Sequence, residues 1–171
     1  MRIVIETIPE DGVNIDVQLD QGWAASVAST VLEATPETLE GSLLVSSRAR
    51  MVEVRGEVTA SGPRVCERCG ESTTLTLNAD VDLDYVPAGD QPSGHAEIHL
   101  APGDLDVGWY HEGALDMADV LSEALALEMP ARIVCADTNT CDQRVASLLE
   151  TANRTSGAAD DGPFAALRQL T

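Results

Sequence analysis

Cys66-Glu67-Arg68-Cys69-Gly70 separates two runs that alternate apolar with polar residues, Val52 to Ala60 before it and Leu75 to Tyr85 after it. Period-two alternation on both sides of a short, glycine-ended stretch predicts two half-buried antiparallel strands with the CxxC on a β-hairpin turn. The step from Leu77 to Val81 reads as a slip in parity, which predicts a bulge or a bend. Leu43-Leu44-Val45 opens the same β-rich tract, and Met51, Val52, Val54 and Val58 carry it to the turn.

Working outward, Ile3-Val4-Ile5 reads as a short strand. Asp11-Gly12 is a turn signal, followed by alternating Val13, Ile15, Val17 and Leu19, so the N-terminus predicts a second hairpin. Trp23, Val27 and Val31 recur every fourth residue, a helical period that Pro36 ends. Pro87 to Gly94 reads as a loop, Ile98 and Leu100 as a brief strand. Asp116 can cap a helix whose apolar face is Met117, Val120, Leu121, Ala124 and Leu125, with Asp119 and Glu123 on the outer side and Pro130 at its end. Val145, Leu148 and Leu149 predict a shorter helix after Cys141. The expected fold class is α+β: an antiparallel, partly curled sheet packed against two main helices, plus short C-terminal helices. The expected organisation is one domain over 1–152, a flexible linker over 153–162 and a short helical tail over 163–171.

Composition narrows the function. The chain has 171 residues, a size that suits one domain with appendages, and 44% are apolar, enough for a core. Aromatics are 3%, so aliphatic side chains must fill that core. Net charge is -19, from 29 acidic and 10 basic residues. Such a surface repels phosphate and argues against direct nucleic-acid binding, whereas a basic protein partner is favoured by the field. The acidity also serves solubility. The opening Met1–Glu6 is broken by charge and by Pro9 too early for a secretory h-region, and no apolar run reaches membrane-spanning length. A cytoplasmic protein without a membrane partner is expected.

The cysteines number four, Cys66, Cys69, Cys135 and Cys141. In a reducing compartment, paired cysteines serve as metal ligands or redox thiols more often than as disulfides. Four thiolates give closed tetrahedral coordination, so the set offers a structural zinc site. The first pair has the usual spacing and Gly70 helps its turn, while Cys135-x5-Cys141 is looser. Arg68 is placed to offset thiolate charge. The alternative is a group of reduced, partly buried thiols. A thioredoxin-like use needs the first cysteine at a helix N-terminus, and here a strand is expected to follow. His95, His99 and His111 have no paired metal-ligand spacing. Asp80, Asp82 and Asp84 share one strand face, either a cation site or a solvated face. Trp109-Tyr110 is either an exposed aromatic anchor or a local core patch. No nucleophile elbow or phosphate-cradling loop is present.

Taken in order, Val54-Arg55-Gly56-Glu57-Val58, Val65-Cys66-Glu67-Arg68-Cys69, Leu115-Asp116-Met117, Glu123 to Pro130, Cys135 and Gly162-Pro163-Phe164-Ala165-Ala166-Leu167 form an ordered set. This set resembles the YceD family, bacterial proteins of large-subunit ribosomal RNA accumulation, from about the β-tract to the C-terminus. The resemblance implies a link to normal 23S ribosomal RNA levels, and a gene that often neighbours one for a large-subunit ribosomal protein. It carries over no catalytic residue. Cys66, Cys69 and Cys135 match the family pattern. Many relatives have a denser cysteine cluster after the proline, ending in Cys-Gly-x-Asn-Leu-Asn, where this chain has Cys141-Asp142-Gln143-Arg144. Some relatives lack part of the cluster, which makes metal dispensable for the family's role. The expected function is a non-enzymatic factor for 23S ribosomal RNA processing, stability or large-subunit assembly, held to a basic ribosomal protein or maturation factor. The rivals are a dithiol oxidoreductase and an RNA-processing enzyme.

Overall fold

β3 (Thr38–Arg48), β4 (Met51–Val65) and β5 (Ser72–Pro87) are the long strands of a five-stranded sheet ordered β2-β3-β4-β5-β6. The computed structural model describes residues 1–90 and 107–155. The strand expected at Ile98 and Leu100, His95 and His99, and the tail beyond residue 155 lie outside the described residues. In β5 the buried positions are Leu75, Leu77, Ala79, Val81 and Tyr85, without a break in parity. The expected bulge is therefore corrected: Ala79 holds the inward position between Leu77 and Val81.

β2 (Val13–Gln18) and β6 (Val107–Tyr110) are the edges of this open sheet. β2, β3 and β4 pair antiparallel, but β6 runs parallel to β5, with Tyr85 opposite Gly108 and Pro87 opposite Tyr110. The sheet is thus mixed, not wholly antiparallel. A parallel partner cannot be reached by a tight turn, and a four-residue strand containing a glycine shows no alternation to read.

The N-terminal hairpin is also corrected. β1 (Arg2–Val4) pairs with β7 (Ala114–Asp116) in a separate two-stranded ribbon, and β2 pairs with β3. A single 3-10 turn at Ile5–Thr7 and then Pro9 follow β1. Proline has no N–H for a ladder, so the segment before the Asp11-Gly12 turn cannot extend as a partner for β2. The turn itself forms, with the Gly12 N–H donating to the Pro9 carbonyl at 2.9 Å.

The helices are α1 (Gly22–Leu32), α2 (Met117–Leu127) and α3 (Thr138–Thr155). α1 packs against α2. Its buried stripe is Ala24, Ala28 and Leu32, one residue on from Trp23, Val27 and Val31, which are half-buried at its flanks. Two alanines let the helix axes approach where larger side chains would hold them apart. The Arg64 guanidinium bonds the Leu32 carbonyl at the end of α1 and pairs with Glu33 at 3.0 Å. Asp116 caps α2 as expected, accepting from the Ala118 N–H at 2.9 Å. α3, expected to be short, is the longest helix at 18 residues and starts ahead of Cys141. Among the described residues, no helix is long and apolar enough to cross a membrane.

Contacts gather the chain into two compact units. One comprises Met1–Arg64 and Thr74–Ala131, the other Val65–Thr73 and the described residues from Arg132 to the end of α3. Aliphatic side chains fill the first, led by Leu32, Leu43, Leu77, Leu121 and Leu125, all essentially fully buried. The second carries the four cysteines.

Candidate metal centre

β4 ends at Val65 and β5 starts at Ser72, so the CxxC falls in the connection between two neighbouring strands. The Cys66 N–H donates to the Glu71 carbonyl at 2.8 Å, and the Gly70 N–H donates to the Cys66 carbonyl at 2.9 Å. Gly70 has φ +78°, a left-handed conformation that glycine adopts without cost. The Glu67 N–H donates to the Ile133 carbonyl at 2.8 Å, which ties the turn to the segment carrying Cys135. Cys141 comes from the first turn of α3. Asp137 caps that turn, accepting from the N–H groups of Asn139 at 3.0 Å and Thr140 at 3.3 Å and from the Thr140 hydroxyl. These bonds hold its carboxyl below the usual carboxylate range, the Thr140 hydroxyl foremost. Its carbonyl accepts from the Cys141 N–H at 3.2 Å.

The sulfurs converge. Cys66 Sγ lies 3.8 Å from Cys141 Sγ, and Cys69 Sγ lies 3.5 Å from Cys135 Sγ. All four ligand atoms fall within 4.8 Å of one another. Cys66 and Cys141 are 1% exposed and Cys69 is 7% exposed, with Cys135 and Val145 packed against them. The thiols are free. Four sulfurs set tetrahedrally about 2.3 Å from one ion are about 3.8 Å apart. The Cys66–Cys141 separation of 3.8 Å equals that edge and the Cys69–Cys135 separation of 3.5 Å is a little shorter, so the donor set fits a four-thiolate metal ion.

The electrostatics of the cluster are uneven. Backbone N–H groups face the Cys66 sulfur, that of Cys69 foremost and those of Arg68 and Cys135 behind it, and together they overcome burial and bring its pKa to about 6. Cys135 is pushed up to about 12, chiefly because its thiol donates to Cys69 and then to Cys66. Burial first, then bonding to Cys69 and Cys66, raises Cys141. The Cys66 thiolate therefore forms readily, while Cys135 and Cys141 hold their protons. A divalent cation removes that conflict by stabilising every thiolate at once.

The cation beside the cluster differs from the expected one. The Arg68 guanidinium pairs with Asp142 at 2.5 Å. The side chain of Arg144 instead donates to Cys69, which with Glu71 and Cys135 raises its own pKa. Arg144 stands three residues after Cys141, on the same face of α3, and that i, i+3 spacing was the available signal. The Asp137 cap was likewise legible as an aspartate opening a polar helix.

The other residues singled out from sequence are placed elsewhere. Asp82 and Asp84 both pair with Arg55, at 2.6 Å and 2.7 Å, so that face holds an internal cation. His111 is exposed at the turn before β7. Trp109 is exposed while Tyr110 is buried, its hydroxyl donating to the Arg50 carbonyl at 3.0 Å. Among the described residues, the four cysteines are the group of His, Cys, Asp and Glu side chains close enough to share a metal.

The family model for the large ribosomal RNA subunit accumulation protein YceD matches residues 54–171, well over half of the chain. The chain belongs to the YceD family. The match takes in the CxxC turn, α2 and both later cysteines of this YceD-family chain. The family's name carries a role in accumulation of the large-subunit ribosomal RNA. No curated protein and no solved structure matches the chain.

Proposed function

We propose that this YceD-family protein supports 23S ribosomal RNA accumulation as a non-enzymatic factor in RNA maturation or large-subunit assembly. It acts through a basic ribosomal protein or maturation factor in the cytoplasm. Charge is the observation that carries this reading: 29 acidic against 10 basic residues, in a family tied to ribosomal RNA. A polyanionic surface attracts a basic protein and speeds encounter, and it opposes a phosphate backbone.

In this reading Cys66, Cys69, Cys135 and Cys141 hold a structural zinc ion that pins the β4–β5 turn, as the tip of a hairpin, to the start of α3. Four thiolates fill a tetrahedral ion and leave no position for water, which suits structure and not hydrolysis. A dithiol oxidoreductase would draw support from the acidic Cys66 thiol, but Cys66 is 1% exposed and a substrate disulfide needs access to the attacking sulfur.

The test is affinity purification of the tagged chain from growing cells, with and without ribonuclease. Ribosomal or maturation proteins that persist after ribonuclease are the expected result. Loss of every partner with the RNA would overturn the protein-mediated reading.

A further inference from the structure

The four sulfurs of the smaller unit differ in their access to water. Cys66 and Cys141 are buried almost completely and Cys69 nearly so, whereas Cys135 is half-buried. Cys135 stands between an exposed Val134 and an exposed Ala136, in a stretch that belongs to no strand or helix. A reagent arriving from solvent therefore meets the cluster at Cys135.

The backbone divides the cysteines in the same way. Cys141 is held in the first turn of α3, with its N–H on the Asp137 carbonyl. Cys66 follows β4 directly, its N–H bonded to Glu71 and its carbonyl accepting from Gly70. Cys69 lies in the turn itself. Its sulfur is 3.5 Å from that of Cys135, while the sheltered pair, Cys66 and Cys141, is 3.8 Å apart. A disulfide has its sulfurs about 2.05 Å apart, so Cys69 and Cys135 must close by about 1.5 Å. A turn and an irregular stretch yield that shift more readily than a strand end and a helical turn. When all four sulfurs ligate an ion, each is a thiolate, so access decides which one is attacked.

We propose that Cys135 is a site of oxidative modification. A hydroperoxide converts it first, and Cys69 resolves it to a Cys69–Cys135 disulfide while Cys66 and Cys141 stay reduced. The inference rests on the zinc reading given above. The Cys135 thiolate attacks a peroxide oxygen: an S–O bond forms, the O–O bond breaks and hydroxide leaves, giving a sulfenic acid. The Cys69 thiolate then attacks that sulfur, an S–S bond forms and a second hydroxide leaves. The two sulfurs lose two electrons, and the peroxide is reduced by them. The chain keeps two donors, too few to close a tetrahedron, and loses its grip on the ion. The new bond links the CxxC turn to the stretch before α3, so a covalent staple replaces the metal one.

The experiment first titrates the reduced full chain with zinc. It then adds one equivalent of hydrogen peroxide to the loaded chain and alkylates the remaining thiols. Cleavage after Arg68 and before Asp137 puts the four cysteines on separate peptides for mass spectrometry. The Cys69–Cys135 disulfide should outnumber every other pairing by about tenfold, with Cys66 and Cys141 recovered alkylated. A chromogenic chelator should report loss of one zinc per disulfide. By circular dichroism the oxidised, zinc-free chain should melt above the chelated, reduced chain, and dithiothreitol should abolish the difference. A first bond between Cys66 and Cys69, the pairing of a CxxC oxidoreductase, overturns the inference. So does a first bond between Cys66 and Cys141, or zinc that stays with the Cys69–Cys135 form. Four intact thiols under peroxide that oxidises glutathione overturn it as well. A chain that takes up no zinc in the first step removes the zinc reading and this inference with it. Zinc uptake followed by another pairing removes the inference alone.

Discussion

A thiol almost out of reach of water would ordinarily hold its proton, yet the Cys66 pKa is brought down to about 6 because backbone N–H groups are aimed at its sulfur. Cys135 and Cys141 then keep theirs. The consequence for metal binding has a definite sign. Zinc added to the reduced, metal-free protein at pH 7 must displace the protons of Cys135 and Cys141, about two or more per ion, but not that of Cys66. Titration calorimetry in buffers of different ionisation enthalpy should show this release. Affinity should fall as pH drops, and more steeply below about 6, where Cys66 also takes up a proton. A binding heat that is the same in every buffer would rule out these sulfurs as ligands.

The elements repeat the same logic with caps and pleats. Asp116→Ala removes the acceptor for the Ala118 N–H and should lower stability by about 1 kcal/mol in urea unfolding, while Asp116→Asn should stay close to the parent. An alanine variant as stable as the parent would show that the cap carries no weight. Most elements were legible for reasons of this kind. Alternation marked β4 and β5, an aspartate and a proline bounded α2, and the CxxC spacing singled out Cys66 and Cys69, whereas the looser Cys135-x5-Cys141 spacing did not by itself place the second pair beside them. Pairing partners were less legible, because a three-residue β1 has no pattern that distinguishes β7 from β2. β6 was hidden by its shortness. The α1 stripe shifted by one residue because alanine reads as neutral in sequence, yet Ala24 and Ala28 are the positions where close approach is possible. α3 was underestimated because its first turns are polar, and its register is set by Asp137 and Cys141, not by an apolar face.

For the whole molecule, the two units rest on different foundations. The larger buries leucines and valines from sheet and helices. The smaller has Cys66, Cys69 and Cys141 as the buried members of its core cluster, with Cys135 and Val145 beside them, which is little apolar area for so many ordered residues. Small cores of this sort need a staple. A chelator, or Cys66→Ser with Cys69→Ser, should therefore remove helical signal equivalent to α3 and lower its melting temperature. Both tryptophans, Trp23 and Trp109, lie in the larger unit, so their fluorescence should keep its own transition. Unchanged melting by circular dichroism after chelation would remove metal from the account of this fold. The same cluster also sets a clock on biosynthesis. Cys66 and Cys141, whose sulfurs touch in the finished protein, are separated by 75 positions in the chain. At about 5–20 residues per second, a ribosome takes about 4–15 s to pass from one to the other. For most of that interval each nascent copy presents Cys66 and Cys69 with no third or fourth thiol to complete the set, so the cluster cannot close until the start of α3 has been made.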